Sequence, residues 1–176
     1  MMELAINEVK TQAKKLLKAL NENPDLVNLM NQPLKRSSAS SISQLKLKHC
    51  LFIVSQQLGF DNWQHAHEVL SGNKTSTPFK MGSFFYPKSC YAFINEWFTN
   101  YQQAKSILIE NEQSKWLLPY KNQYLIVKSD YIKMFKLDEV TSSLWLETSH
   151  DMVQSYNTIA WDKITSEIIK NRVKNF

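Results

Sequence analysis

Residues 116–128, WLLPYKNQYLIVK, decide the fold class. Trp116 to Tyr120 and Gln123 to Lys128 are two apolar-rich runs flanking Lys121 and Asn122, the pattern of two strands joined by a two-residue loop. Alternation puts Tyr124 and Ile126 on one sheet face and Leu125 and Val127 on the other. On either side of this hairpin the apolar spacing is helical. The chain is therefore predicted to be α+β and mostly helical, a small antiparallel hairpin or sheet packed with helices.

Upstream, Leu4, Val9, Ala13, Leu16, Leu17 and Leu20 recur at helical spacing while Lys10, Lys14 and Lys18 line another face. Asn23 before Pro24 predicts a short second helix from Pro24 to about Asn31. The serine-rich stretch Arg36 to Ser43 reads as a connector. A third helix is expected from Ser43 to Leu58, with Gly59 as its stop. A fourth follows Asp61 as N-cap, carries Trp63, Ala66, Val69 and Leu70, and closes at Gly72. This gives a helical subdomain over residues 1–72 and a polar linker at 73–78, with an α+β subdomain over 79–176.

Within that second part, Ser83 to Tyr86 is a strand candidate. Phe93, Ile94, Trp97, Phe98, Tyr101, Ala104 and Leu108 give the clearest helical stripe, predicting one helix over Tyr91 to Asn111. Asp130 is expected to cap a helix over Tyr131 to Leu137. An irregular stretch is expected around Trp145, and a last helix from Thr158 to Val173 with Ile164 and Ile168 facing inward.

Composition narrows the function classes. Hydrophobic residues at 43% and aromatics at 12% are globular values. The N-terminal MMELAINEVK carries Glu3 and Glu8 where an export signal would be basic and then apolar, and the longest apolar run, Cys50 to Val54, is far short of the roughly 20 residues of a membrane span. A soluble, cytoplasmic protein without membrane contact is expected. The net charge of +5 is spread thinly: eight Lys/Arg against six acids in residues 1–72, seven against four in 73–130, six against six in 131–176. A nucleic-acid footprint is usually concentrated, so nucleic acid is an unlikely partner, with Lys10, Lys14 and Lys18 as the one face that offers phosphate contacts. Glycine occurs only at Gly59, Gly72 and Gly82, which excludes P-loop, dinucleotide and nucleophile-elbow motifs. No cofactor is expected.

The pairs Gln44-Leu45, Lys48-His49 and Gly59-Phe60 with Trp63, then Tyr86-Pro87 before Asn95, Trp97 and Phe98, and finally Leu117-Leu118-Pro119-Tyr120-Lys121 with Gln123 carry a likeness. In these residues the chain resembles an uncharacterised bacterial protein family of similar length. Its N-terminal part is similar to a small helical module also found in some glyoxalase-superfamily chains. The likeness spans most of residues 44–128; further on, Thr141-Ser142-Ser143 stand where the pattern has an Asp/Pro-rich turn. The resemblance implies architecture and carries no activity.

Candidate sites follow from side-chain chemistry. His49, Cys50, His65 and His67 are zinc-ligand types, but residues two apart on a helix lie about 200° apart, so His65 and His67 cannot share a metal and no metal site is expected. Residues 51–70 have the length of a helix-turn-helix, yet the second helix lacks Lys and Arg to meet phosphate. Cys90, placed at the N-terminus of the predicted 91–111 helix with Lys88 nearby, is a candidate thiolate nucleophile, and His150 the candidate base. Trp116, Tyr120, Lys121, Gln123 and Tyr124 combine apolar bodies with polar tips, as binding surfaces do. The leading expectation is a binding or interaction module for an unidentified protein or small molecule. A thiol-dependent enzyme and a weak nucleic-acid binder are the alternatives.

Overall fold

The computed structural model describes residues 3–23, 26, 45–72, 80–110 and 114–173. Most of the predicted helix at Pro24 to Asn31, the Arg36 to Ser43 connector and the 73–78 linker lie outside them. Among the described residues the fold is mostly helical α+β, with seven α-helices and a three-stranded antiparallel sheet. In chain order the elements are α1 (Leu4–Glu22), α2 (Leu47–Gln57), α3 (Trp63–Leu70), β1 (Glu96–Phe98), α4 (Tyr101–Glu110), β2 (Lys115–Tyr120), β3 (Gln123–Lys128), α5 (Ser129–Lys133), α6 (Glu139–Glu147) and α7 (Ile159–Arg172).

Helix α1 buries Val9, Ala13, Leu16 and Leu20 and leaves Lys10, Lys14 and Lys18 exposed, as its spacing predicts. Its first amides are capped from far along the chain. The buried carboxylate of Asp162 on α7 accepts from the Leu4 N–H at 3.0 Å and the Ala5 N–H at 2.9 Å, which fixes one helix against the other. Gly59 ends α2 as expected. At φ 93° it lets its own N–H reach Gln56 O and the Phe60 N–H reach Ser55 O, the two bonds of a Schellman closure. The cap of α3 is Asn62 rather than Asp61: its side chain accepts from the His65 N–H at 2.9 Å.

Four expectations downstream are corrected. Ser83 to Tyr86 is a turn, not a strand. A strand would send Phe84 and Phe85 to opposite faces, whereas both are buried, Phe84 stacked on Phe60 and Phe85 edge-on to Phe135. The helix predicted over Tyr91 to Asn111 divides at Asn100. That side chain accepts from the Gln102 and Gln103 N–H groups, so it starts α4 and frees residues 96–98 to pair with β3. Around Trp145 the chain is helical, since Asp138 accepts from the Thr141 N–H at 2.7 Å and caps α6. Exposed Val140 and Leu146 obscure the period of that helix. Asp130 is inside the first turn of α5, paired with Lys133 at 2.7 Å, and that helix ends at Lys133.

The sheet order is β1-β3-β2, and the hairpin register pairs Tyr120 with Gln123 and Leu118 with Leu125. Both faces are covered. Leu118, Leu125 and Val127 join the main core, while Leu117 and Ile126 pack against Ala104 and Leu108 of α4. The main core runs without a break from Leu16, Leu20 and Leu58 of the helical third to Trp161, Ile164 and Ile168 of α7, so residues on either side of the expected linker share one interior. No helix among the described residues is long and apolar enough to cross a membrane.

Candidate functional site

Two of the three glycines meet face to face. Gly82 has φ 59°, and a Cβ built there would lie 2.4 Å from Gly59 O; one built on Gly59 would lie 2.5 Å from Ser83 Oγ and 2.8 Å from the Ser83 carbonyl carbon. The Ser83 N–H donates to Gly59 O at 2.8 Å across this contact. Only residues without a Cβ allow the α2–α3 turn and the 82–85 turn to approach so closely.

The tip of the β-hairpin docks onto the same place. Lys121 N–H donates to Gly82 O at 2.8 Å, and Met81 N–H to Lys121 O at 3.4 Å. Between the two turns and the tip lies an open cleft of about 640 Å³. Gly59, Phe60, Gly82 and Ser83 line it together with Lys80, Lys88, Lys121, Asn122, Gln56, Asp61 and His65. His65 braces the rim: its Nδ1 accepts from the Asp61 N–H at 3.1 Å, and its Nε2, which then carries the proton, donates to Lys80 O at 2.5 Å. The Asp61 carboxylate also lies 3.1 Å from Nδ1.

Lys121 occupies φ 48°. Both favoured two-residue hairpin turns need a positive φ at this first loop position, which glycine or asparagine adopts readily and lysine at a cost of about 1 kcal/mol. Its ammonium lies 5.2 Å from the Tyr120 ring centre. Lys80, Lys88 and Lys121 are exposed and, among the described residues, none is in an ion pair.

The hairpin residues named from sequence do not share one surface. Lys121 alone of the five lines the cleft. Tyr120 packs edge-on between Tyr86 and Trp97, with both ring centres at 5.3 Å. Gln123, paired with Tyr120, is half-buried. Tyr124 turns to the other sheet face against Tyr101, and Trp116 stacks on His150 at 4.5 Å with its indole nitrogen buried.

Cys90 and His150 are held by different neighbours. Cys90 ends a single 3-10 turn, Lys88–Cys90, rather than opening a long helix, so no long-helix dipole acts on it. Its thiol is fully buried. Burial pushes its pKa up against the opposing hydrogen bonds of Tyr131 and Ser89 and the charge of Arg172. His150 is buried against Trp116 in a left-handed backbone conformation, φ 56°. Burial likewise drives the Cys50 thiol up to about 11. His49 is buried on α2. Its Nδ1 accepts from the Lys46 N–H at 3.0 Å, and burial with Lys48 and Lys46 lowers its pKa. His67 packs edge-on to Trp63. Among the described residues no group of three or more His, Cys, Asp or Glu could hold a metal ion.

A second polar cluster escaped sequence reasoning altogether. The buried Asp151 carboxylate accepts from Tyr101 OH at 2.8 Å and Lys105 Nζ at 2.9 Å on one oxygen, and from the Val153 and Gln154 N–H groups on the other. Lys105 also reaches the Gln154 side-chain carbonyl. Burial pulls the Lys105 pKa down, but Asp151 and then Tyr101 outweigh it and hold the ammonium above its ordinary value. Lys80 and Lys88 were likewise unforeseen at the cleft. Compared with protein-family models, curated proteins and solved structures, the chain matches none of them, so the site is read from its own geometry.

Proposed function

We propose that the protein is a cytoplasmic binding module that takes its ligand in the cleft between the α2–α3 turn and the tip of the β-hairpin. The observation that carries this reading is the double backbone tether of Lys121 to Met81 and Gly82. It fixes the tip against the Gly59–Gly82 contact and leaves the Lys121 and Asn122 side chains to line an opening of about 640 Å³, within the usual size of small-molecule sites. A pre-formed wall lowers the ordering cost of binding. The thiol alternative lacks such support, because burial raises the Cys90 pKa and its described electrostatic partners include no histidine.

The test is a fragment screen on the full chain, read by amide chemical shifts. Hits are expected to move Gly59, Phe60, Gly82, Lys121 and Asn122. Lys121→Ala is expected to weaken them while changing stability by less than about 0.5 kcal/mol, the usual range for an exposed position. Hits that cluster elsewhere, or none, would overturn the reading.

A further inference from the structure

We infer that the cleft's ligand is a small, multiply charged anion bearing phosphate or carboxylate groups, held by Lys80, Lys88 and Lys121; this rests on the binding reading above. The three lysines come from three separate turns and line one opening. Like charges gathered there repel one another, and the one acid on this lining among the described residues, Asp61, still leaves the three lysines in excess. Ion pairs hold Lys18, Lys105, Lys115, Lys133 and Lys170, whereas Lys80, Lys88 and Lys121, like Lys10 and Lys14 on α1, are in none among the described residues; what distinguishes the three is that they line one opening.

Lys121 adds an independent point, since it lines the opening while holding a left-handed conformation better suited to glycine or asparagine. Such strain is commonly kept where a side chain is needed for function. Three lysines against the single Asp61 carboxylate leave two positive charges, more than a monovalent anion balances. Lysine ammoniums act as point charges with freely directed donors, so they suit phosphate and carboxylate oxygens alike. The opening, about 640 Å³ and bounded by the tethered tip, fits a compact molecule rather than a polymer track.

The experiment titrates the full chain at low salt with pyrophosphate, citrate and acetate, by calorimetry and amide shifts. Lys80→Met, Lys88→Met, Lys121→Met, their triple combination and a Lys10→Met/Lys14→Met/Lys18→Met control are run alongside. Pyrophosphate or citrate is expected to bind with one-to-one stoichiometry, and acetate at least tenfold more weakly. Each cleft substitution is expected to weaken binding by about fivefold or more, the triple to abolish it and the α1 control to leave it unchanged, with affinity falling as salt rises. A preference for pyrophosphate or for citrate separates a phosphorylated ligand from a polycarboxylate. If neither anion binds while neutral fragments still move the cleft amides, the anion assignment fails and the binding reading stands. Silence from every probe overturns both. Anion binding that survives the triple substitution, or that follows the α1 lysines instead, also overturns the assignment.

Discussion

Around Asp151 the polar atoms are answered from inside the protein, whereas around Lys121 three lysines line an opening and none of them is in an ion pair among the described residues. Each cluster joins segments distant in sequence, and each contains lysine. The first is buried, with Asp151 at 0% exposure and both its oxygens bonded twice. The second is built from exposed side chains on a rigid backbone frame. A buried carboxylate must be satisfied or the fold loses several kcal/mol, so the Asp151 cluster reads as a structural tie between α4 and the 148–154 turns. Unpaired charges on a fixed frame contribute little to the fold, and this is why the cleft reads as a binding site.

The comparison breaks most visibly at Asp151. Asp151→Ala strands Tyr101 OH, Lys105 Nζ and two backbone N–H groups, and removal of one partner of a buried pair costs about 3–5 kcal/mol. Urea unfolding is expected to report a loss in that range. Lys105→Met is expected to cost less, because Tyr101 and the two amides still answer the carboxylate. A loss under about 1 kcal/mol in Asp151→Ala would mean that the cluster does not hold the fold, and the contrast with the cleft would collapse.

Gly82→Ala tests the frame of the cleft itself. The new methyl group would stand 2.4 Å from Gly59 O, a backbone atom that cannot rotate away, and at φ 59° the residue would be strained even in open space. A cost of about 2 kcal/mol is expected, and the hydrogen bond from Lys121 to Gly82 shifts with it. Thermal melts supply the first number, and amide shifts at Ser83 and Lys121 supply the second effect. A variant as stable as wild type with an unmoved tip would show that the two turns are not locked together by the glycine contact.

Local rules made the helices and the hairpin legible, because their signals sit within a few residues: Gly59 after α2, Thr158 before α7, alternation in β2 and β3. The same local reading failed where one side chain competes with a longer pattern. Asn100 cut a continuous apolar stripe by capping α4, and adjacent Phe84 and Phe85 both turned inward because a turn, unlike a strand, permits it. At the site, Lys121 could be picked out from its place in the two-residue loop. Lys80 and Lys88 could not, since their convergence depends on the Gly59–Gly82 contact between segments 23 residues apart, and Asp151 depends on a lysine and a tyrosine 46 and 50 residues away. The thin charge excess in the sequence likewise hid a local concentration that only folding produces.

The smallest expected effect lies at Lys121 and has the opposite sign to the others. Asparagine tolerates the left-handed conformation that Lys121 holds at φ 48°, so Lys121→Asn relieves about 1 kcal/mol of strain. The substitution also removes the ammonium near the Tyr120 ring, an exposed contact contributing about 0.5 kcal/mol. Relief exceeds loss, and a net gain of roughly 0.5 kcal/mol corresponds to about 1–2 °C in Tm for a chain of this size. Pyrophosphate or citrate affinity is expected to fall about fivefold or more in the same variant, because one of three cations is gone. Stability and binding then move in opposite directions at one residue, which no structural role explains. A lower Tm with unchanged anion affinity would place Lys121 beside Asp151, as a residue kept for the fold, and would erase the distinction between the two clusters.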